Sequence, residues 1–208
     1  MGGVGGVGGV GRGGAAGDGG GAGRVVGIVL AAGEGTRFGG GKAVARFRGE
    51  RLVDRAVGTL VAGGCDRVLV VVGALDVGAV RHAILVLNPE WRSGMGSSLR
   101  AGLLAAGDAE AVVVALVDQP LIGPDAVRRL IEAWLDGAAV AVAAYEGRRA
   151  HPVLFSRAAV ADLLPTLTGD TGARTFLASR PDVVTVDCTG TGQPDDVDTV
   201  EALRRLSS

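Results

Sequence analysis

Cysteine, lysine and excess charge are all scarce in this 208-residue chain, and each scarcity excludes something. Cys65 and Cys188 stand alone with no CxxC spacing, so neither a disulfide framework nor a zinc site is implied. Both read as small core residues. A formal net charge of -1 argues against nucleic acid or an anionic membrane as the main partner. No apolar run is long enough to span a bilayer. The N-terminus has neither the charged start nor the apolar core of a secretory signal. A soluble, cytoplasmic protein is expected. Lysine is the rarest base: 20 of the 21 basic residues are arginine, and only Lys42 is not.

What the chain has in excess is glycine. Fourteen of its 37 glycines fall in residues 1–24, interleaved with Val and Ala. Such a segment cannot bury enough surface to offset its ordering entropy, so a disordered tail is expected, or an upstream extension from a misassigned start. From residue 25 to 208 the composition is that of one domain; 48% of the whole chain is hydrophobic, enough for a substantial core. Short β-branched runs alternate there with amphipathic stretches. The pattern predicts strands over Val25–Leu30, Arg67–Val72, Ile84–Leu87, Ala111–Val117, Ala139–Tyr145, Pro152–Phe155 (antiparallel) and Val183–Val186. It predicts helices over Arg51–Ala62, Asp76–His82, Ser97–Ala106, Pro124–Leu135, Arg157–Leu164, Gly172–Ser179 and Thr199–Leu206. Continuous apolar strands separated by helices imply an α/β fold, a Rossmann-like three-layer α/β/α with a mainly parallel sheet. Ligands of such sheets bind outside the carboxyl ends of the strands.

The first strand runs directly into Leu30-Ala31-Ala32-Gly33-Glu34-Gly35-Thr36-Arg37-Phe38-Gly39-Gly40-Gly41-Lys42. Flexible backbone with one Arg and one Lys suits a polyphosphate, which needs amide donors and neutralising cations. A compact ammonium, kept where arginine has replaced lysine elsewhere, suggests a point charge is required. Two familiar phosphate loops fail here. A dinucleotide fingerprint needs glycine where Phe38 stands, and a Walker A loop needs glycine at Thr36 and a hydroxyl at Ala43.

Asp118 follows the apolar strand at its carboxyl edge, in Ala115-Leu116-Val117-Asp118-Gln119-Pro120. It reads as a turn former or, beside the glycine loop, as a Mg2+ ligand. Asp195-Asp196-Val197-Asp198-Thr199 precedes the terminal helix and reads either as an N-cap cluster or as a source of a second carboxylate. Asn88-Pro89-Glu90-Trp91-Arg92-Ser93-Gly94-Met95-Gly96-Ser97-Ser98 feeds a helix with two candidate capping serines, and Trp91 is either core or site. His151 precedes Pro152 and is restricted to extended backbone. Gly169-Asp170-Thr171-Gly172-Ala173-Arg174 opens another helix, with Asp170 or Thr171 as cap and Arg174 as an anion holder.

Taken together and in order, these segments resemble the MobA-like nucleotidyltransferases, nearest the molybdenum cofactor cytidylyltransferases. The loop is similar to the family's L-A-A-G-x-x-x-R-x-G-x-x-K; the later segments are similar to its N-P-x-W-x-x-G-M-x-x-S-L, D-Q-P, G-H-P-V-x-F, G-D-x-G-A-R and D-I-D-T-P-E-D. Ala150 and Val200 depart from that pattern. The resemblance implies that Leu30, Ala31, Ala32, Gly33, Gly35, Arg37, Lys42, Gly94, Ser98 and Asp118 bind the nucleotide, with Arg37, Lys42 and Asp118 catalytic. It implies Asp118 and Asp198 as Mg2+ ligands with Asp196 in support, and His151, Asp170 and Arg174 on the acceptor. The implied reaction is Mg2+-dependent transfer of CMP from CTP to molybdopterin, with release of pyrophosphate. A molybdenum hydroxylase would then receive the product. Alternatives are GTP in place of CTP, a flavin- and NADPH-dependent oxidoreductase of the nicotine blue type on the same fold, and a non-catalytic carrier of the molybdenum cofactor.

Overall fold

A computed structural model describes residues 1–2, 25–73, 75–170 and 172–207 of the chain, with the side chains of Arg37 and Ser207 excepted. The disorder expected of the tail concerns residues 3–24, which lie outside the described residues.

β1 (Val25–Ala31) is buried along its whole length because apolar helices cover both faces. Val25, Val29 and Ala31 enter one core, and Val26, Ile28 and Leu30 the other. After β1 come a two-residue hairpin pair, β2 (Arg46–Phe47) and β3 (Glu50–Arg51), and then α1 (Leu52–Ala62). β4 (Arg67–Val72) and β5 (Ile84–Leu87) follow, then α2 (Met95–Ala106), β6 (Ala111–Leu116) and α3 (Pro124–Leu135). The chain continues with β7 (Val140–Tyr145), β8 (Arg148–Ser156), α4 (Arg157–Leu163), α5 (Arg174–Ser179), β9 (Val183–Asp187) and α6 (Val200–Ser207). The strand order of the seven-stranded sheet is β5-β4-β1-β6-β8-β7-β9. Only β8 runs against its neighbours, pairing antiparallel with β6 and β7. The fold is therefore the expected mainly parallel α/β/α sandwich.

The chain leaves β1 toward β4 on one side and returns to β6 on the other. That reversal opens a crevice at the carboxyl ends of β1 and β6. Register sets its floor: Leu30 lies opposite Leu116, so Ala32 and Asp118 leave the sheet side by side. The helix expected over Asp76–His82 does not form. Asp76 accepts the Gly78 N–H at 2.8 Å, and Gly78 and His82 take positive φ, so side-chain and left-handed geometry displace helical bonding. α5 begins at Arg174 rather than Gly172. β8 is longer than expected because Glu146 and Gly147, both at positive φ, turn β7 straight back into it.

Candidate active site

The glycine loop after β1 holds two short 3-10 turns, Thr36–Phe38 and Lys42–Val44. Gly35, Gly39, Gly40 and Gly41 all take positive φ, a run that side chains other than glycine resist. Gly35 C=O accepts from both Phe38 and Gly40, which curls the loop back on itself. The curl delivers Lys42 to the crevice. Its Nζ donates to Asp118 Oδ2 at 3.0 Å and to Asp198 Oδ1 at 3.0 Å. Burial works against the Lys42 charge, but the hydrogen bonds and attraction from both acids outweigh it and raise the pKa above 10.5.

The two acids are 80 residues apart in sequence, and the backbone brings them together. Val197 N–H donates to Asp118 C=O at 2.8 Å, with the Val197 side chain fully buried beneath. Gly123 N–H reaches Thr191 C=O and Gln193 N–H reaches Leu121 C=O, lacing the two loops together. Arg55 adds a hydrogen bond to Pro120 C=O. Asp196 sits in the same cluster. Its residue is exposed, but partial desolvation of the carboxyl raises it; the Gln119 amide opposes that rise, nearby Asp118 and Asp198 add to it, and Lys42 lowers it.

The crevice is a cleft of about 550 Å³, lined by Leu30 to Gly35, Lys42, Trp91, Arg92, Gly94, Met95, Ser98, Asp118 and Asp170, among others. Ligand pockets commonly run to several hundred cubic ångströms, so the size suits a nucleotide. On its far wall, Asn88 Nδ2 donates to Ser97 Oγ at 2.9 Å and Ser98 Oγ at 3.1 Å, which fixes the start of α2. Arg92 stacks on Trp91, its guanidinium carbon 4.6 Å from the ring centre.

The MobA-like NTP transferase domain matches residues 27–184. The chain belongs to this family. Among its relatives, the nicotine blue oxidoreductase of Paenarthrobacter nicotinovorans is 40% identical over 196 residues, covering 88% of this chain and 96% of that protein. The molybdenum cofactor guanylyltransferase of Cereibacter sphaeroides is 32% identical over 131 residues, 62% of this chain and 66% of that one. Among solved structures, Rv0371C of Mycobacterium tuberculosis H37Rv in complex with manganese superposes with a TM-score of 0.70 at 26% identity. It covers 88% of this chain and 98% of that one.

The acid pair of this MobA-like chain has the chemistry to hold a divalent cation. The Lys42 ammonium stands in for one: a cation already held by one oxygen from each of Asp118 and Asp198. Among the described residues no group of three or more metal-ligating side chains forms. Two carboxylates completed by substrate phosphates is the arrangement Mg2+ ordinarily adopts. The residues present therefore fit the ion.

The remaining candidates are less uniform. Leu30, Ala31, Ala32, Gly33, Gly35, Gly94 and Ser98 all line the cleft, but the Arg37 side chain lies outside the described residues. Asp170 lines it too, yet its Oδ1 accepts the Met95 N–H at 3.3 Å, so it caps α2 rather than its own helix. Gly94 makes that approach feasible; a Cβ there would lie 2.5 Å from Asp170 Cα. Arg174 is exposed and is not among the cleft residues. His151 sits behind the Asp118 strand end in a smaller pocket with Arg55 and Gln119. Burial pushes its pKa down to about 4, with Asp118 opposing, so it is a neutral imidazole at physiological pH. Arg92, Met95 and Glu34 line the cleft without having been singled out by the sequence. Trp91, left open between core and site, is both: it packs on the apolar core and faces the cleft.

Proposed function

We propose that this chain is a nucleotidyltransferase that moves CMP from CTP to the terminal phosphate of a molybdopterin-type acceptor. The observation that carries the reading is Lys42 held between Asp118 and Asp198 at the mouth of the cleft. An acceptor phosphate oxygen attacks the α-phosphorus in line, the α–β bridging P–O bond breaks, and pyrophosphate leaves. Backbone amides of Ala32 to Gly35 orient the triphosphate, and Lys42 turns from the acids to the β and γ oxygens. Arg37 shares that charge. Asp118 and Asp198 would hold Mg2+, which when bound would draw charge from the phosphates. Met95 N–H and Asp170 set the cleft wall against which the acceptor lies. The guanylyltransferase relative supports this chemistry.

The test is transfer of label from α-labelled CTP to molybdopterin in the presence of Mg2+, with pyrophosphate release measured in parallel. Transfer that disappears in Asp118→Ala supports the reading; wild-type protein that releases no pyrophosphate from CTP or GTP overturns it.

A second reading rests on the 40% identity to nicotine blue oxidoreductase, which extends over nearly all of that protein. The same loop would then hold the diphosphate of a flavin or nicotinamide cofactor. Flavin absorbance in the purified protein and oxidation of NADPH by a dye acceptor would favour this reading over transfer.

A further inference from the structure

A side chain outside both acids reaches the segment that carries Asp198. Gln119 follows Asp118 directly, and its Nε2 donates to Asp196 Oδ1 at 2.9 Å and to Pro194 C=O at 3.1 Å. Both partners are acceptors, so only the amide nitrogen can face them. The cost falls on the other end: Gln119 Oε1 is buried and has no hydrogen-bond partner among the described residues. A buried amide oxygen left unsatisfied is rare and calls for an explanation. Turning the amide over would press oxygen against oxygen at Pro194 and Asp196, so the clamp dictates the orientation.

The clamp acts where the chain needs it. Beside the Val197 N–H to Asp118 C=O bond and the backbone bonds that lace the loops farther out, this amide is the side chain that reaches from the residue after Asp118 to the segment carrying Asp198. Asp196 is exposed and Val197 is buried, so the amide grips the outer edge of a segment whose inner edge the core already holds. We propose that Gln119 is a positioning residue that sets the approach of Asp198 to Asp118, and so the affinity of the pair for a divalent cation. The inference rests on the metal-dependent reading above. It concerns Gln119 alone and does not depend on which nucleotide or acceptor is used.

The experiment titrates the full chain with Mn2+ alone and reads free Mn2+ by electron paramagnetic resonance. Gln119→Leu keeps the volume and removes both the clamp and the orphaned oxygen; Gln119→Met, unbranched, is read alongside it. Residues that orient metal ligands typically contribute tenfold or more to metal affinity, so the expected dissociation constant rises about tenfold. The Tm should stay within about 2 °C of wild type, because the freed Asp196 faces water and the unsatisfied oxygen is gone. An unchanged dissociation constant in both variants overturns the inference while leaving the proposed reaction standing. Weakened binding with a matching fall in Tm also overturns it and assigns Gln119 to fold support. Wild type that binds Mn2+ and retains the tenfold ratio, yet transfers no nucleotide, overturns the reaction instead. Wild type that binds no Mn2+ overturns both.

Discussion

Replacing Lys42 by methionine keeps an unbranched, flexible side chain and deletes its charge, and the effects on metal and on turnover should have opposite signs. Each acid oxygen lies 3.0 Å from the same nitrogen, so the two lie no more than twice that distance apart. Two bare carboxylates about 6 Å apart repel by about 3 kcal/mol at an effective dielectric near 20. The Asp198 side chain is 45% exposed, so screening cuts this to about 1–2 kcal/mol. A divalent cation that relieves this repulsion, and no longer competes with an ammonium, binds more tightly by about tenfold. Turnover should fall by at least about a hundredfold, because the charge on the departing pyrophosphate loses its partner. The acids raise the Lys42 pKa, so the pair's contribution to stability is full below pH 10.5 and is lost only as pH climbs past the raised value. The stability gap between wild type and Lys42→Met should accordingly be flat from pH 7 to 9. Calorimetric titration with Mn2+ reads the first effect and pyrophosphate release the second. Mn2+ binding that is unchanged or weaker in Lys42→Met would refute the reasoning, because Asp118 and Asp198 would then not form the cation site.

Asp118→Ala should abolish pyrophosphate release while leaving the far-UV circular dichroism and Tm close to wild type, since Asp118 is a partly exposed strand-end residue. Lys42→Arg should also lose turnover, because a planar fork does not fit between two acids that share one point. Gly94→Ala puts a methyl 2.5 Å from Asp170 Cα at a φ of 119°, so about 1–3 kcal/mol of stability should be lost, read by urea unfolding. His151 stays neutral in the fold down to about pH 4, while its unfolded counterpart takes a proton near pH 6.5. Its contribution is therefore present above pH 6.5 and lost as pH falls toward 4, about 2 kcal/mol between pH 7 and 5. His151→Gln should flatten that slope, and a wild-type imidazole that titrates above pH 6 by NMR would contradict the burial argument.

The parts of this fold that were legible in the sequence are those where pattern and packing agree. β1 and β6 are continuous apolar runs buried on both faces, and α3 begins at the proline and ends at the leucine that its pattern predicts. The stretch at Asp76 was illegible because its apolar spacing is helical while its Asp–Gly contact is not. The site shows the same division. The loop, Asp118 and the Asp196-to-Asp198 segment could be picked out as residue types at strand and helix ends. That Lys42 bridges the two acids follows from the β1–β6 register and the Val197 hydrogen bond, which no local pattern encodes. The sequence assigns no role to Arg92, one arginine among 20, or to Gln119 within its D-Q-P run, because the contacts of Gln119 lie on a loop 75 positions away. Asp170 is expected either to cap its own helix or to meet the acceptor; it accepts instead from Met95 N–H, at the start of a helix 75 positions earlier.

The central claim is that this cleft takes a nucleoside triphosphate together with a divalent cation, and thermal unfolding with Mg2+, CTP, GTP, FMN and NADPH tests it most directly. A ligand at 100 times its dissociation constant adds about 2.7 kcal/mol, which is several degrees of Tm for a chain of this size. A rise with CTP that appears only when Mg2+ is present and disappears in Asp118→Ala is expected. A rise with FMN or NADPH, and none with CTP or GTP at any Mg2+ concentration, would contradict it.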